Sequence, residues 1–278
     1  MAWADHSTGF ILNRMPADYH THTPMCRHAT GSPEEYVDAA LAAGLSEYGI
    51  SDHAPQVPEP FDDWRMRRDE LPEYFAWVER ARLRAAGKMP VRIGLECDWL
   101  EGCDDWIGEL ESKCRWDYLI GSVHYLGEWD FDNPKWLGRW AESDVEAVWT
   151  HYWQTYARMA SSGLFDILAH PDLVKKFAHV PAGDLARFYE PAIDAIAAAG
   201  CVIELNTAGW HKPCAEAYPA AGFLELACSA GVPLVISSDA HAPNEVARDF
   251  HKAVAMAKAA GYRETVLFEG RRRRSEAL

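Results

Sequence analysis

A chain of 278 residues, 49% hydrophobic and 25% charged, has the composition of an ordinary soluble globular protein and can bury a large core. Lys and Arg total 27 against 42 Asp and Glu, a net charge of -15, which argues against nucleic acid as a partner because duplex binding needs basic patches. No apolar run would span a bilayer, no export signal opens the chain, and seven cysteines lack C-x-x-C spacing, so a cytoplasmic protein with reduced thiols and no membrane partner is expected.

In chain order, the first distinctive stretch is Asp18-Tyr-His-Thr-His-Thr-Pro-Met-Cys-Arg-His28. In an extended segment residues i and i+2 share a face, about 7 Å apart, so His20 and His22 can reach one metal ion together. Ser32-Pro33-Glu34-Glu35 reads as a capping box that opens a helix, with Gly44 as its stop. A short strand follows over 47–53, ending in Asp52 and His53. The proline-rich, aromatic segment 55–68 reads as a loop or lid. A helix over about 71–86 leads to a strand over 91–98, ending at Glu96 and Asp98. A helix near 104–113 precedes a strand over 118–124, ending at His124. After a Trp/Asp/Asn/Pro-rich loop through Trp136 come a long helix near 143–161 and a strand over 165–172 that carries His170. An alanine-rich helix over 184–199 precedes a strand over 201–206, ending at Asn206. The next helix closes at Gly231, before a strand over 233–241 with Asp239 and His241 at its end. A last helix stops at Gly261. Val266-Leu-Phe268 reads as a closing extended piece, and the four arginines at 271–274 read as a solvated tail.

Strand alternating with helix implies a parallel sheet, wound or closed into a barrel, and no linker divides residues 1–278. No Gly-rich dinucleotide or P-loop signature is present. Of twelve histidines, seven (His20, His22, His28, His53, His124, His170, His241) stand at or near strand ends. In a barrel of parallel strands those ends converge on one face. The other five (His6, His151, His179, His211, His251) fall in helices, loops or the tail. Singly, each strand-end histidine could be a hydrogen-bonded structural residue; with Glu96, Asp239 and the His20/His22 pair they read jointly as a metal site. Side-chain alternation gives Asp52 a supporting role, leaves Asp98 able to act behind the ligands, and makes Cys26 and Cys97 non-ligands. Asp172, after a proline, reads as capping a turn.

His20-Thr-His22, Ser51-Asp-His53, Gly94-Leu-Glu96, Gly121-Ser-Val-His124, Ala169-His170-Pro and Ser238-Asp239-Ala-His241 together resemble the motif series of the PHP (polymerase and histidinol phosphatase) superfamily. Gly-Leu-Glu-Cys-Asp and Gly-Ser-Val-His-Tyr-Leu followed by Trp-Asp-Phe-Asp-Asn-Pro resemble its histidinol-phosphate phosphatase branch most. The resemblance implies an α/β fold, a distorted (β/α)7 barrel of the PHP type, with three divalent metal ions (Zn, Fe or Mn). It implies His20, His22, Glu96 and Asp239 on one ion, a bridging Glu96 with His124 and His170 on a second, and His28, His53 and His241 on a third. Glu96, Asp239 and His241 would be central to catalysis, with a metal-bridging hydroxide attacking phosphorus in line. Bound cations would also reconcile a charge of -15 with a phosphorylated substrate. Lys175, Lys176 and Asn206 are the expected substrate contacts, with His211 standing where the branch carries an arginine.

The function implied is a metal-dependent phosphomonoesterase that hydrolyses L-histidinol phosphate. A PHP-type hydrolase for another small phosphomonoester or phosphodiester is the alternative, and a non-catalytic metal-stabilised domain is the third.

Overall fold

The computed structural model describes residues 14–278; His6 and the rest of the first thirteen residues of the expected 1–278 domain lie outside it. Helix α1 (Pro33–Ala43) begins on the capping box, where Ser32 Oγ accepts from Glu35 N and Ser32 N donates to Glu35 Oε2, and it ends at Gly44 with φ 72°. Strand β1 (Tyr48–Ile50) leads through the 55–68 loop to α2 (Leu71–Ala85).

The expected strand over 91–98 is two strands, β2 (Val91–Ile93) and β3 (Glu96–Asp98), with Gly94 and Leu95 between them. Gly94 packs against the Tyr118 ring so closely that a Cβ there would overlap it. The next elements are α3 (Asp104–Glu111), β4 (Ile120–Ser122), and an antiparallel hairpin of β5 (Tyr125–Leu126) and β6 (Trp129–Asp130) inside the expected loop. Helices α4 (Leu137–Ala141) and α5 (Val145–Ser161) precede β7 (Ile167–Leu168), α6 (Ala186–Ala199) and β8 (Val202–Asn206). Then come α7 (Ala221–Ser229), β9 (Leu234–Ser237), α8 (Phe250–Ala260), β10 (Glu264–Glu269) and β11 (Arg272–Ala277).

Strands β3-β4-β7-β8-β9 form one parallel sheet and β1-β2 a separate parallel pair. The α/β parallel arrangement is therefore present, but the continuous closed sheet of a (β/α)7 barrel is not. Single bridges replace ladders at the seams: Asp18 with Tyr48, Thr21 with Ala240, and His53 with Glu96. The cause is local. The 18–22 segment and the ends of β1, β3 and β9 turn buried polar side chains inward, and strands this short offer few pairing positions beyond them.

The tail is also not what its charge suggests. β10 and β11 pair antiparallel over their whole length, and Val266, Leu267 and Phe268 pack with Tyr19, Tyr118, Ile120, Ile167, Val202 and Val235. Arg271 pairs with Glu111 and Asp166, Arg273 donates to Gly200 O, and Arg274 pairs with Glu47. Their partners all precede strands, so this hairpin covers the sheet at its N-terminal end. The C-terminal ends are left for chemistry.

Candidate metal centre

The stretch from Asp18 to His28 supplies three imidazoles, His20 and His22 buried and His28 exposed at the edge of a cavity. His20 and His22 are buried on one face of an extended segment held between β1 and the end of β9, where Gly49 N donates to Asp18 O and His22 N to Ala240 O. Thr23 caps a 3-10 turn over Pro24–Cys26, and Arg27 at φ 73° reverses the chain. That turn brings the His28 ring within 4.5 Å of the His241 ring and 5.4 Å of the His53 ring, centroid to centroid.

Glu96, at the start of β3, is the hub. Its Oε2 lies 2.7 Å from His53 Nδ1, 3.2 Å from His20 Nε2 and 3.7 Å from His22 Nε2. Its Oε1 lies 3.0 Å from His170 Nε2 and 3.6 Å from His124 Nε2. Asp239 Oδ1 stands 3.0 Å from His22 Nε2 and 3.8 Å from His20 Nε2. Donor atoms converge as His20, His22 and Asp239; as Glu96, His124 and His170; and as His22, His53 and His241. Cys26 also lies within ligand range of His28 and His241, but burial first, then Asp52, drives its thiol far above the ordinary value.

Behind the ligands stands a second set of contacts. Glu204 Oε1 meets His20 Nδ1 at 2.8 Å, Asp98 Oδ1 meets His124 Nδ1 at 2.7 Å, and Asp52 Oδ1 is 3.4 Å from His22 Nδ1. Backbone carbonyls of Cys26 and Asp239 hold Nδ1 of His28 and His241. With Nδ1 so engaged, each ring offers Nε2 to the centre. Arg65 Nη1 in turn holds Asp98 Oδ2 at 2.8 Å. His170 and Asp239 both sit at positive φ, 25° and 54°, backbone that only over-determined surroundings retain in a non-glycine residue.

Whether these residues suit a metal is decided by their unmet demand. His20 Nε2, His53 Nδ1, Glu96 Oε2 and His241 Nε2 are all buried and none makes a well-directed hydrogen bond, even where Glu96 Oε2 stands 2.7 Å from His53 Nδ1. Four such atoms converging in one site are costly unless a cation takes their lone pairs. All-nitrogen and oxygen donors with supporting carboxylates suit divalent metal ions, and this centre is built for them.

The electrostatics agree. Burial, then the His22 charge, pushes His241 well below the ordinary imidazole value; burial also lowers His53 and His28. Those rings are neutral at pH 7. Burial works the same way on His22 and His124, but their carboxylate neighbours win and raise them to about 9 and about 10. Both therefore carry a proton at pH 7 that a metal must displace. Metal affinity is expected to rise with pH up to those values, and loading at pH 7 to release protons. Titration calorimetry in buffers of different ionisation enthalpy reads this directly; a heat independent of buffer would contradict it.

The centre opens into a cavity of about 520 Å³ whose lining includes Trp64, Lys176, Lys212 and Arg248. The residues expected to contact substrate divide here. Lys176 lines the cavity, with Nζ 2.8 Å from Asp132. Lys175 does not: its Nζ is buried between Asp172, Glu216 and Ala217 O, so it braces its loop. Asp172, in turn, accepts from Ala220 N. His211 pairs with Asp249 at the surface. Asn206 donates to Glu204 and to Asp239, behind the ligands. The sequence reading missed Glu204, Arg248, Lys212 and Asp130. Glu204 shares Asn206's face of β8, and that parity was the available signal.

Residues 18–208 match the family model described as PHP domain. A "Probable histidinol-phosphatase" of Deinococcus radiodurans is 43% identical over 92% of this chain and 97% of its own length. A "Histidinol-phosphatase" of Bacillus subtilis is 28% identical over 82% of this chain and 94% of its own. Among solved structures, histidinol phosphate phosphatase of Lactococcus lactis, complexed with Zn, L-histidinol and phosphate, superposes with a TM-score of 0.78. It is 22% identical and covers 93% of this chain and 98% of its own, a likeness of fold. On the family match, the 43% identity and the ligand-bearing strand ends, this chain belongs to the PHP domain family, in its histidinol-phosphatase branch.

Proposed function

We propose that this protein is a metal-dependent phosphomonoesterase that hydrolyses L-histidinol phosphate to L-histidinol and phosphate. The observation that carries the proposal is the Glu96-centred cluster opening into a cavity that also holds Lys176, Lys212 and Arg248. The names of the Deinococcus and Bacillus relatives, and the histidinol and phosphate in the Lactococcus structure, supply the substrate.

Our reading is of three divalent ions (Zn, Fe or Mn). His20, His22, Glu96 and Asp239 would hold the first; Glu96, His124 and His170 the second; His28, His53 and His241 the third. When bound, such ions supply Lewis acidity, lowering the pKa of water and neutralising phosphoryl charge. The chain does the rest. Glu96 and Asp239, both held well below the ordinary carboxylate range against the pull of burial, remain anionic and keep the charged site assembled. Lys176, Lys212 and Arg248 draw the phosphate in and orient it. Trp64, edge-on to His53 and His124, shields the site from bulk water.

We read the sheet and its bridges as one distorted (β/α)7 barrel over a single domain spanning residues 1–278, supported by hydrogen bonds from the 18–22 segment to both β1 and the end of β9. No helix of the described residues is long and apolar enough to cross a membrane. With seven unpaired cysteines this supports a cytoplasmic setting.

The test is phosphate release by metal-loaded protein across a panel of L-histidinol phosphate, other phosphomonoesters and a diester, with metal content measured on the same sample. L-histidinol phosphate is expected to be the best substrate and chelation to abolish turnover. A better monoester or diester would overturn the substrate; fewer than about two ions per chain would overturn the three-ion reading.

A further inference from the structure

The hairpin β5–β6 and the residues after it are not accounted for by metal binding. From Trp129 to Asp132 the side chains alternate. Trp129 and Phe131 are buried in the hydrophobic core, whereas Asp130, Asp132 and Asn133 line the cavity. Phe131 N donates to His124 O, which ties this strand to a residue of the metal centre. Four carboxylates of the cavity wall lie outside the ligand set: Asp63, Asp130, Asp132 and Glu245. Three of them have cationic partners, Asp63 with Lys135, Asp132 with Lys176 and Glu245 with Arg248. Asp130 has none among the described residues. It is buried, and its one side-chain contact is Asn133 Nδ2, which donates to Oδ2 at 2.7 Å.

A buried carboxylate without a cation is costly, and this one faces the space a substrate would fill. Burial, then Asp132, raises it to about 6, as expected for an acid awaiting a positive partner. In an amino-alcohol phosphate the ammonium sits on the carbon next to the ester methylene, so a phosphate held at the centre keeps it within the cavity that Asp130 lines.

We propose that Asp130 is the specificity-determining residue for the substrate's ammonium group, accepting a charge-assisted hydrogen bond through its free Oδ1 while Asn133 fixes Oδ2. This rests on the reading of the site as a phosphomonoesterase. Asp132 and Asp63 are spent on lysines, and Glu245 also accepts from His241 N, which leaves Asp130 as the carboxylate available.

The experiment compares metal-loaded wild type and Asp130→Asn on two substrates, L-histidinol phosphate and its deaminated analogue, 3-(imidazol-4-yl)propyl phosphate. A hydrogen bond to a charged group predicts that the variant raises KM for L-histidinol phosphate about ten- to hundredfold. Its kcat/KM on the analogue should match wild type, which shows that the metal centre is intact. Equal losses on both substrates, or none, would overturn the proposal. If wild type releases no phosphate from L-histidinol phosphate, the functional reading fails separately. Ethanolamine phosphate against ethyl phosphate then carries the same comparison, and unchanged amine preference in the variant would overturn the role of Asp130.

Discussion

Glu96→Gln is expected to strip metal from the protein and to lower phosphate release on the order of 10³-fold or more. The substitution keeps the shape of the side chain and removes its charge. Five imidazole nitrogens, from His20, His22, His53, His124 and His170, lie within 3.7 Å of the two carboxylate oxygens. No other side chain of the centre touches as many. Burial would favour the neutral acid, but His53, His20 and His124 hold Glu96 well below the ordinary carboxylate value, so it stays ionised through the neutral range. An amide cannot replace that charge, and its N–H would occupy imidazole lone pairs that the ions need. Elemental analysis of the purified variant together with a phosphate-release assay decides the matter. A full complement of metal with near-normal turnover would remove Glu96 from the hub. Thermal unfolding with and without chelator separates metal loss from misfolding, because an ion that binds only the folded chain stabilises it by mass action.

What could be read from the chain alone, and what could not, follows from the range of the interactions. Histidines and acids at strand ends announce themselves, because a strand end is local and the parallel arrangement gathers such ends on one face. The capping box at Ser32 and Glu35 is local for the same reason. Pairing is not. That the chain leaves β1 and pairs with β4 once it has crossed Gly94, and that the 18–22 segment joins its neighbours through single bridges, depends on the Tyr118 ring and on Ala240, both far away in sequence. The arginines at 271–274 look like a solvated tail until Glu47, Glu111 and Asp166 are brought beneath them. Lys175 and Lys176 are neighbours of one composition, yet they turn to opposite tasks, one on Asp172 and the other on the cavity wall. Only the loop's fold distinguishes them.

Glu204→Gln is the sharper test of how the ligands are held. Glu204 is fully buried, touches no cavity, and would not be chosen as a metal ligand, yet it engages three groups of the centre. Oε1 meets His20 Nδ1 at 2.8 Å; Oε2 accepts from His170 N at 2.8 Å and from Asn206 Nδ2 at 3.0 Å. The first contact fixes the tautomer that leaves His20 Nε2 free for a metal. The second secures His170 at φ 25°, a conformation that costs energy and needs an external hold. In the glutamine variant one of the two terminal atoms is a donor, so either His20 or the His170 amide loses its acceptor. Metal affinity is expected to fall about 10- to 100-fold, the usual effect of removing a carboxylate behind a metal-binding histidine. Stability of the metal-free protein should fall by about 1–3 kcal/mol from the buried donor left unmet. Competition against a chelator of known affinity reads the first, and denaturant unfolding of metal-free protein the second. Activity at saturating metal should recover much of the loss, because Glu204 acts by positioning His20 and His170 rather than by touching substrate. Unchanged metal affinity would mean that the backbone alone holds these rings, and would leave the left-handed turn at His170 without its restraint.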